Sequence, residues 1–254
     1  MVTKEWMSWL KDRHYDRAPI KEAIIDIQIE SPNSLALTDL EKLIDSIPKG
    51  YTQRQNVMIG HLRGELEAGV LTASTDQRRV GFAFVGGDGK HVVQLRLNGF
   101  TFSRLAPYQT WTQLRDEARG LWQLYRTAVG ELPVSRVALR YVNQLDIPLP
   151  MRDLRDFVRT YPEVSSDLSP FLSGFFLQVQ IPQDDLGATL ILNEALLPPP
   201  RPEATSVLLD IDLFRQELRL NADTDVWDIL EELRIRKNLI FEGCITNSMR
   251  ELIS

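Results

Sequence analysis

Glu22-Ala-Ile-Ile-Asp-Ile-Gln-Ile-Glu30 is the stretch from which the fold is read. Ala23, Ile25, Ile27 and Ile29 alternate with Glu22, Asp26, Gln28 and Glu30. Successive residues of a strand point to opposite sides, so this period of two predicts a strand with one face in a core and a charged face behind it. Pro32-Asn33 ends the strand. A helix is expected over residues 38–47, with Thr38 as N-cap, Glu41 closing a capping box, and Pro48 and Gly50 stopping it. Val80, Phe82 and Phe84 then alternate with small residues, Gly86-Gly87-Asp88-Gly89 turns the chain, and residues 91–102 read as one further strand. Over residues 110–129, Trp111, Leu114, Ala118, Leu121, Trp122 and Tyr125 keep the i, i+3, i+4 rhythm of a long helix, which Gly130 and Pro133 stop.

The second half repeats this order. Residues 137–147 read as a strand with Leu139, Tyr141 and Leu145 opposed to Arg140, Gln144 and Asp146. A helix over 151–160 follows, then strands at 175–181, 188–196 and 206–214, and a long helix over about 225–252 striped by Trp227, Leu230, Leu233, Phe241, Ile245 and Met249. The two opening strands end alike, Gln28-Ile29-Glu30-Ser31-Pro32 beside Gln144-Leu145-Asp146-Ile147-Pro148. The expected fold is therefore α+β, made of two similar halves packed as one globule. Each half runs strand, helix, about three antiparallel strands, long helix. The expected divisions are an N-terminal segment at 1–18, a first half at 19–132 and a second at 133–254. Such a pseudo-two-fold arrangement is similar to saddle-like folds, a likeness that carries no function.

The chain has 254 residues, 43% hydrophobic and 25% charged, with a formal net charge of −6. Nonspecific nucleic-acid binding draws on clustered excess cations, so this balance argues against it. Cys244 is the single cysteine, which excludes an internal disulfide and points to a reducing compartment; the expectation is a cytoplasmic protein with no membrane partner. Near the N-terminus, Trp6 and Trp9 lie three apart beside Lys4, Glu5, Lys11 and Asp12, which reads as a segment docked on the core.

Five stretches together carry a family likeness: Ala18-Pro-Ile-Lys-Glu-Ala23, Phe102-Ser-Arg-Leu-Ala-Pro-Tyr108, Leu139-Arg-Tyr-Val-Asn-Gln-Leu-Asp-Ile-Pro148, Leu208-Leu-Asp-Ile-Asp212 and Phe241-Glu-Gly-Cys-Ile-Thr246. In this order and spacing the chain resembles a sporadically distributed family of uncharacterised microbial proteins of about this length. The resemblance implies no particular activity. It also implies a basic residue where this chain has Gln144.

The familiar chemistries find little support in the residues. There is no Gly-x-Ser-x-Gly elbow, no His-Glu-x-x-His and no Cys-x-x-Cys, and His14, His61 and His91 are the only histidines. Gly86-Gly87-Asp88-Gly89-Lys90 joins two strands and so reads as a hairpin rather than a phosphate loop. Asp210 and Asp212 are the metal candidates, because residues i and i+2 of a strand share a face about 6.5–7 Å apart. Arg140, with Glu22, Asp26 and Gln144, makes the candidate ligand-binding set. Arg136 and Arg140 are expected either to pair with Glu22 and Asp26 between the halves or to grip a carboxylate or phosphate. Arg96, Phe100 and Phe102 are read as sharing one face of a single strand. The leading functional expectation is a non-catalytic interaction or sensor module without cofactor, with a protein partner or self-association left open. A metal-dependent phosphate-binding protein or enzyme is the alternative, and a saddle-like nucleic-acid binder is the third reading.

Overall fold

The structure is a computed structural model describing residues 14–67, 70–165, 167–168, 172–220 and 223–254, with side chains described outside 61–76 and 223–224. Trp6, Trp9 and most of the expected N-terminal segment lie outside the described residues. β1 (Ile20–Ile29) follows its alternation, with Ala23, Ile25, Ile27 and Ile29 buried. It sits inside one nine-stranded antiparallel sheet with β2 (Tyr51–Glu67), β3 (Val70–Gly86), β4 (His91–Arg96), β5 (Gly99–Leu105), β6 (Val134–Pro148), β7 (Phe176–Gln183), β8 (Ala188–Leu197) and β9 (Ala204–Arg215). The strand order is β2-β3-β4-β5-β1-β6-β9-β8-β7. β1 and β6 are neighbours in register Ile24↔Arg140, and the neighbour beyond β1 is β5 and that beyond β6 is β9.

One face of this sheet is apolar, because register aligns the odd positions of β1 with Phe100 and Phe102, with Val137, Leu139 and Tyr141, and onward with Ile211 and Leu213. Both long helices lie on that face. α1 (Leu37–Glu41) is short; α2 (Trp111–Val129) buries Leu114, Ala118, Leu121, Trp122, Tyr125 and Val129. Trp122 meets Phe100 edge-on at 5.8 Å and stacks on Tyr125 at 5.5 Å, and the Tyr125 hydroxyl donates to the Arg96 carbonyl at 2.8 Å. α3 (Asp223–Cys244) covers β6 and β9, and α4 (Asn247–Ile253) follows. Among the described residues no helix is long and apolar enough to cross a membrane.

Several sequence expectations are corrected. The helix expected over 38–47 is α1 followed by a 3-10 turn at Ile44–Ser46. Its N-cap is Ala36, whose N–H donates to Asp39 Oδ2 at 3.0 Å, so the acid three residues on makes the cap rather than Thr38 and Glu41. The helix expected over 151–160 is a single 3-10 turn, Leu154–Asp156, begun by Asp153 accepting from Arg155 N–H. The final helix stops at Cys244 and restarts after Thr246, whose hydroxyl caps α4 by accepting from Met249 N–H.

Residues 91–102 are two strands. The chain reverses at Leu97-Asn98, and a Cβ on Gly99 would sit 2.4 Å from the Ile27 carbonyl oxygen, so β5 can approach β1 there only with glycine. The reversal places Phe100 opposite Leu95 and Phe102 opposite Val93 in the core, away from Arg96. β2 and β3 pair from Tyr51↔Gly86 to Glu67↔Val70, whereas β4 meets β3 only from Gly81 to Val85, so the pair continues past the sheet as a two-stranded ribbon.

Candidate functional site

The polar face of the sheet gathers most of the sequence-predicted site residues. Asp26 accepts from Arg96 at 2.5 Å, Thr101 at 2.7 Å and Arg136 at 2.9 Å. Arg136 also lies 4.4 Å from the Phe214 ring centroid and 3.9 Å from Asp212. Arg140 does not reach Glu22 or Asp26 for a bond. It donates twice to Asp210, Nε at 2.8 Å and Nη2 at 2.7 Å, and that forked contact holds its guanidinium pKa above the ordinary arginine value. Asn193 adds a third donor to Asp210 at 2.9 Å and in turn accepts from Gln178 at 2.7 Å. Burial raises the Asp212 carboxyl, opposed by Arg136 and Arg140. Glu22, Asp26, Arg140 and Asp212 all line one cavity of about 390 Å³ on this face.

The lattice is saturated at Asp210, while the buried Nε of Arg96 is left without a hydrogen-bond partner. The Asp210 side chain is 3% exposed and both of its oxygens are engaged by nitrogen donors, a first shell suited to arginine rather than to a hard cation that takes six or more oxygens. Among the described residues no group of three or more His, Cys, Asp and Glu is placed to hold a metal ion. Millimolar magnesium is therefore expected to leave the melting temperature unchanged, and Asp210→Asn to lower it with or without the ion. A rise of several degrees with magnesium that Asp210→Asn abolishes would return Asp210 and Asp212 to the metal reading.

The second site lies on the helix side, where β6 runs past the start of β1. There the chain from His14 to Lys21, the entry to α2 and the middle of α3 enclose a cleft of about 1110 Å³. Gln144 belongs here rather than with Arg140, and donates to Asp146 at 2.9 Å. The walls are built from paired groups. The Tyr108 and Tyr141 hydroxyls lie 3.0 Å apart with their rings edge-on at 5.5 Å, and burial raises both above the ordinary phenol value. Trp111 donates its indole N–H to Glu231 at 2.6 Å, and Arg234 holds the other oxygen of that carboxylate at 2.8 Å. Glu242 accepts from Tyr15 at 2.5 Å and from Arg250 at 2.7 Å. Asn143 bridges the floor by donating to the Leu209 carbonyl at 3.0 Å, satisfying backbone on the apolar side of β6.

Two titratable groups on the helix side stand buried. Lys237 is 9% exposed with its ammonium 3.8 Å from the Tyr141 ring centroid, and burial lowers its pKa to about 7. Glu194, on β8, is 1% exposed; neither carboxylate oxygen has a hydrogen-bond partner, and burial raises its pKa to about 8. Burial, with the Glu194 carboxyl adding to it, pushes the Cys244 thiol up to about 12, so this cysteine is a buried apolar group and no nucleophile.

No protein-family model matches the chain, and no curated protein matches it.

Proposed function

We propose that the protein is a non-catalytic sensor module that takes a small molecule into the cleft between α3 and the β1–β6 strand ends. The observation that carries this reading is the cleft itself, about 1110 Å³ with aromatic side chains on its walls, of a size for a small-molecule ligand. The pairing of its polar groups supports a binding role. Tyr108 with Tyr141, and Glu231 with Arg234 and Trp111, are spent on each other, which makes a preformed wall and leaves neither pair poised as acid or base. The polar sheet face favours no nucleic acid, since Arg96, Arg136 and Arg140 are each matched by a carboxylate and form no free cationic track.

The same proposal treats residues 19–132 and 133–254 as duplicated halves. Supporting it, the Gln28–Pro32 and Gln144–Pro148 stretches are offset by 116 positions, and Ile24↔Arg140, the central register pair of β1 and β6, has that same offset. Outward order on the two sides, β5-β4-β3 and β9-β8-β7, also corresponds.

The test is native mass spectrometry of protein purified gently from its own host, followed by a melting-temperature screen of small metabolites. The expected result is a retained small mass, or a ligand class that raises the melting temperature by several degrees, as any ligand that binds only the folded state must. An empty protein that no compound stabilises would overturn the reading.

A further inference from the structure

We propose that the cleft receives a small aromatic anion, a carboxylate or a phosphate monoester, with its charged head against Lys237. The inference rests on the sensor reading above and names the ligand of that site. Lys237 stands on the apolar stripe of α3 between Leu233 and Phe241, and its amine opens on the cleft. Among the described residues it makes no hydrogen bond and no ion pair. A ring face attracts a cation yet supplies no counter-charge, and lysine is almost never buried unless paired. No counter-charge faces it among the described residues, and that opening is where we place the ligand's anion.

The surrounding charges are compatible with that sign. On its own helix, Arg234 is neutralised by Glu231 at 2.6 Å, and the nearby acid Glu242 is taken by Arg250. From β6, Tyr141 lies under the ammonium, and Asp146 at the cleft edge already accepts from Gln144 and Ser206. Tyr108, leading into α2, bonds Tyr141. The N-terminal lip brings His14, Asp16 and Arg17, the last held by the Ser254 carbonyl. Lys21 and Arg201 stand exposed on the rim with no ion pair among the described residues, as do the acids Asp16 and Asp146, so the rim is of mixed sign and the cation that favours an anion in the interior of the cleft is Lys237. Half-buried Tyr108, Trp111 and Phe241 flank the path and suit a flat ring behind the charged head.

Proton linkage gives a readout that needs no variant. With its pKa near 7 the amine is largely neutral at pH 7.5, and an anion seated on it must draw a proton in. Calorimetric titration of the full chain with benzoate and with adenosine monophosphate, in buffers of different ionisation enthalpy, is expected to show uptake of about half a proton or more per ligand at pH 7.5. The neutral counterparts benzamide and adenosine are expected to bind at least tenfold more weakly, and Lys237→Met to erase that difference. The substitution places an apolar side chain at an apolar position, so folding is retained. Binding of one anion without the other selects carboxylate or phosphate. Equal binding of charged and neutral probes, unchanged in Lys237→Met and without proton uptake, would overturn this inference and leave the sensor reading standing. Failure of both anions to bind at millimolar concentration would also overturn it, while the metabolite screen judges the sensor reading separately.

Discussion

Arg140→Ala is expected to lower the free energy of unfolding by about 2–4 kcal/mol, because it strands the Asp210 carboxylate. That carboxylate is 3% exposed and takes two of its three bonds from the Arg140 guanidinium. Solvent reaches Arg140, whose side chain is 44% exposed, and this keeps the loss below that of a fully buried pair. Lysine should restore little, since a point charge cannot reproduce the fork. The double replacement Arg140→Leu with Asp210→Leu should recover most of the loss, as apolar pairs commonly match buried ion pairs. Urea unfolding of the three variants beside the unaltered protein measures the pattern. A loss under about 0.5 kcal/mol for Arg140→Ala would mean that the pair does not hold β6 to β9, and would free Arg140 for the ligand-anchoring role that the sequence also allowed.

The strands were legible where alternation was clean. β1, β6, β8 and β9 each bury one face against helices, which forces apolar residues into every second position. The break between β4 and β5 carried a visible signal, the turn-prone dipeptide Asn98-Gly99, although the two turn residues are Leu97 and Asn98 and Gly99 already belongs to β5. It was hidden by the apolar alternation that continues on both sides of it. The β2–β3 ribbon was illegible for a different reason. Beyond the sheet it has no core to alternate against, and within the sheet Gln53, Arg54, Gln55 and Asn56 lie exposed on the edge strand opposite Phe82–Val85, with no apolar residue to mark a buried face. Partners across the polar face were harder still: both Asp210 and Asp212 share Arg140's face, and only the diagonal geometry decides which it grips.

The cleft could have been suspected from defects in regular patterns. In the stripe Leu230, Leu233, Phe241 the next helical position is Lys237, and in Ala188, Leu190, Leu192, Leu196 the missing alternate position is Glu194. A charged residue on the core register of an otherwise regular element costs stability unless something meets it, so it marks either a partner or a function. Here the two defects resolve differently. Lys237 opens on a cleft, whereas Glu194 is enclosed with both oxygens unpartnered.

That enclosure makes Glu194 a strong source of pH dependence between pH 5 and 7. Its folded pKa is about 8 against an ordinary 4.5, so the folded chain holds a proton that the unfolded chain releases. The stability tied to the neutral acid is complete below about pH 4.5 and is lost as pH rises through the folded value near 8. Each pH unit inside that window costs roughly 1.4 kcal/mol, so unfolding free energy should fall by about 2–3 kcal/mol from pH 5 to 7. Lys237 acts in the opposite direction and in a higher window. Its folded pKa near 7 lies below the ordinary 10.5, so the unfolded chain binds the extra proton and stability rises with pH above 7. The two slopes oppose each other between pH 7 and 8, and from 8 to 9 only the rising limb remains. Urea unfolding at half-unit pH steps measures the profile: Glu194→Gln should flatten the falling limb, and Lys237→Met the rising one. Glu194→Leu should further stabilise the protein at pH 8, by on the order of 2–4 kcal/mol, because it removes an unpartnered polar group from an apolar site. An unchanged falling limb in Glu194→Gln would show that this carboxyl is solvated or partnered in the folded protein, and would assign the acid-side dependence to the Asp212 carboxyl, which burial raises as well.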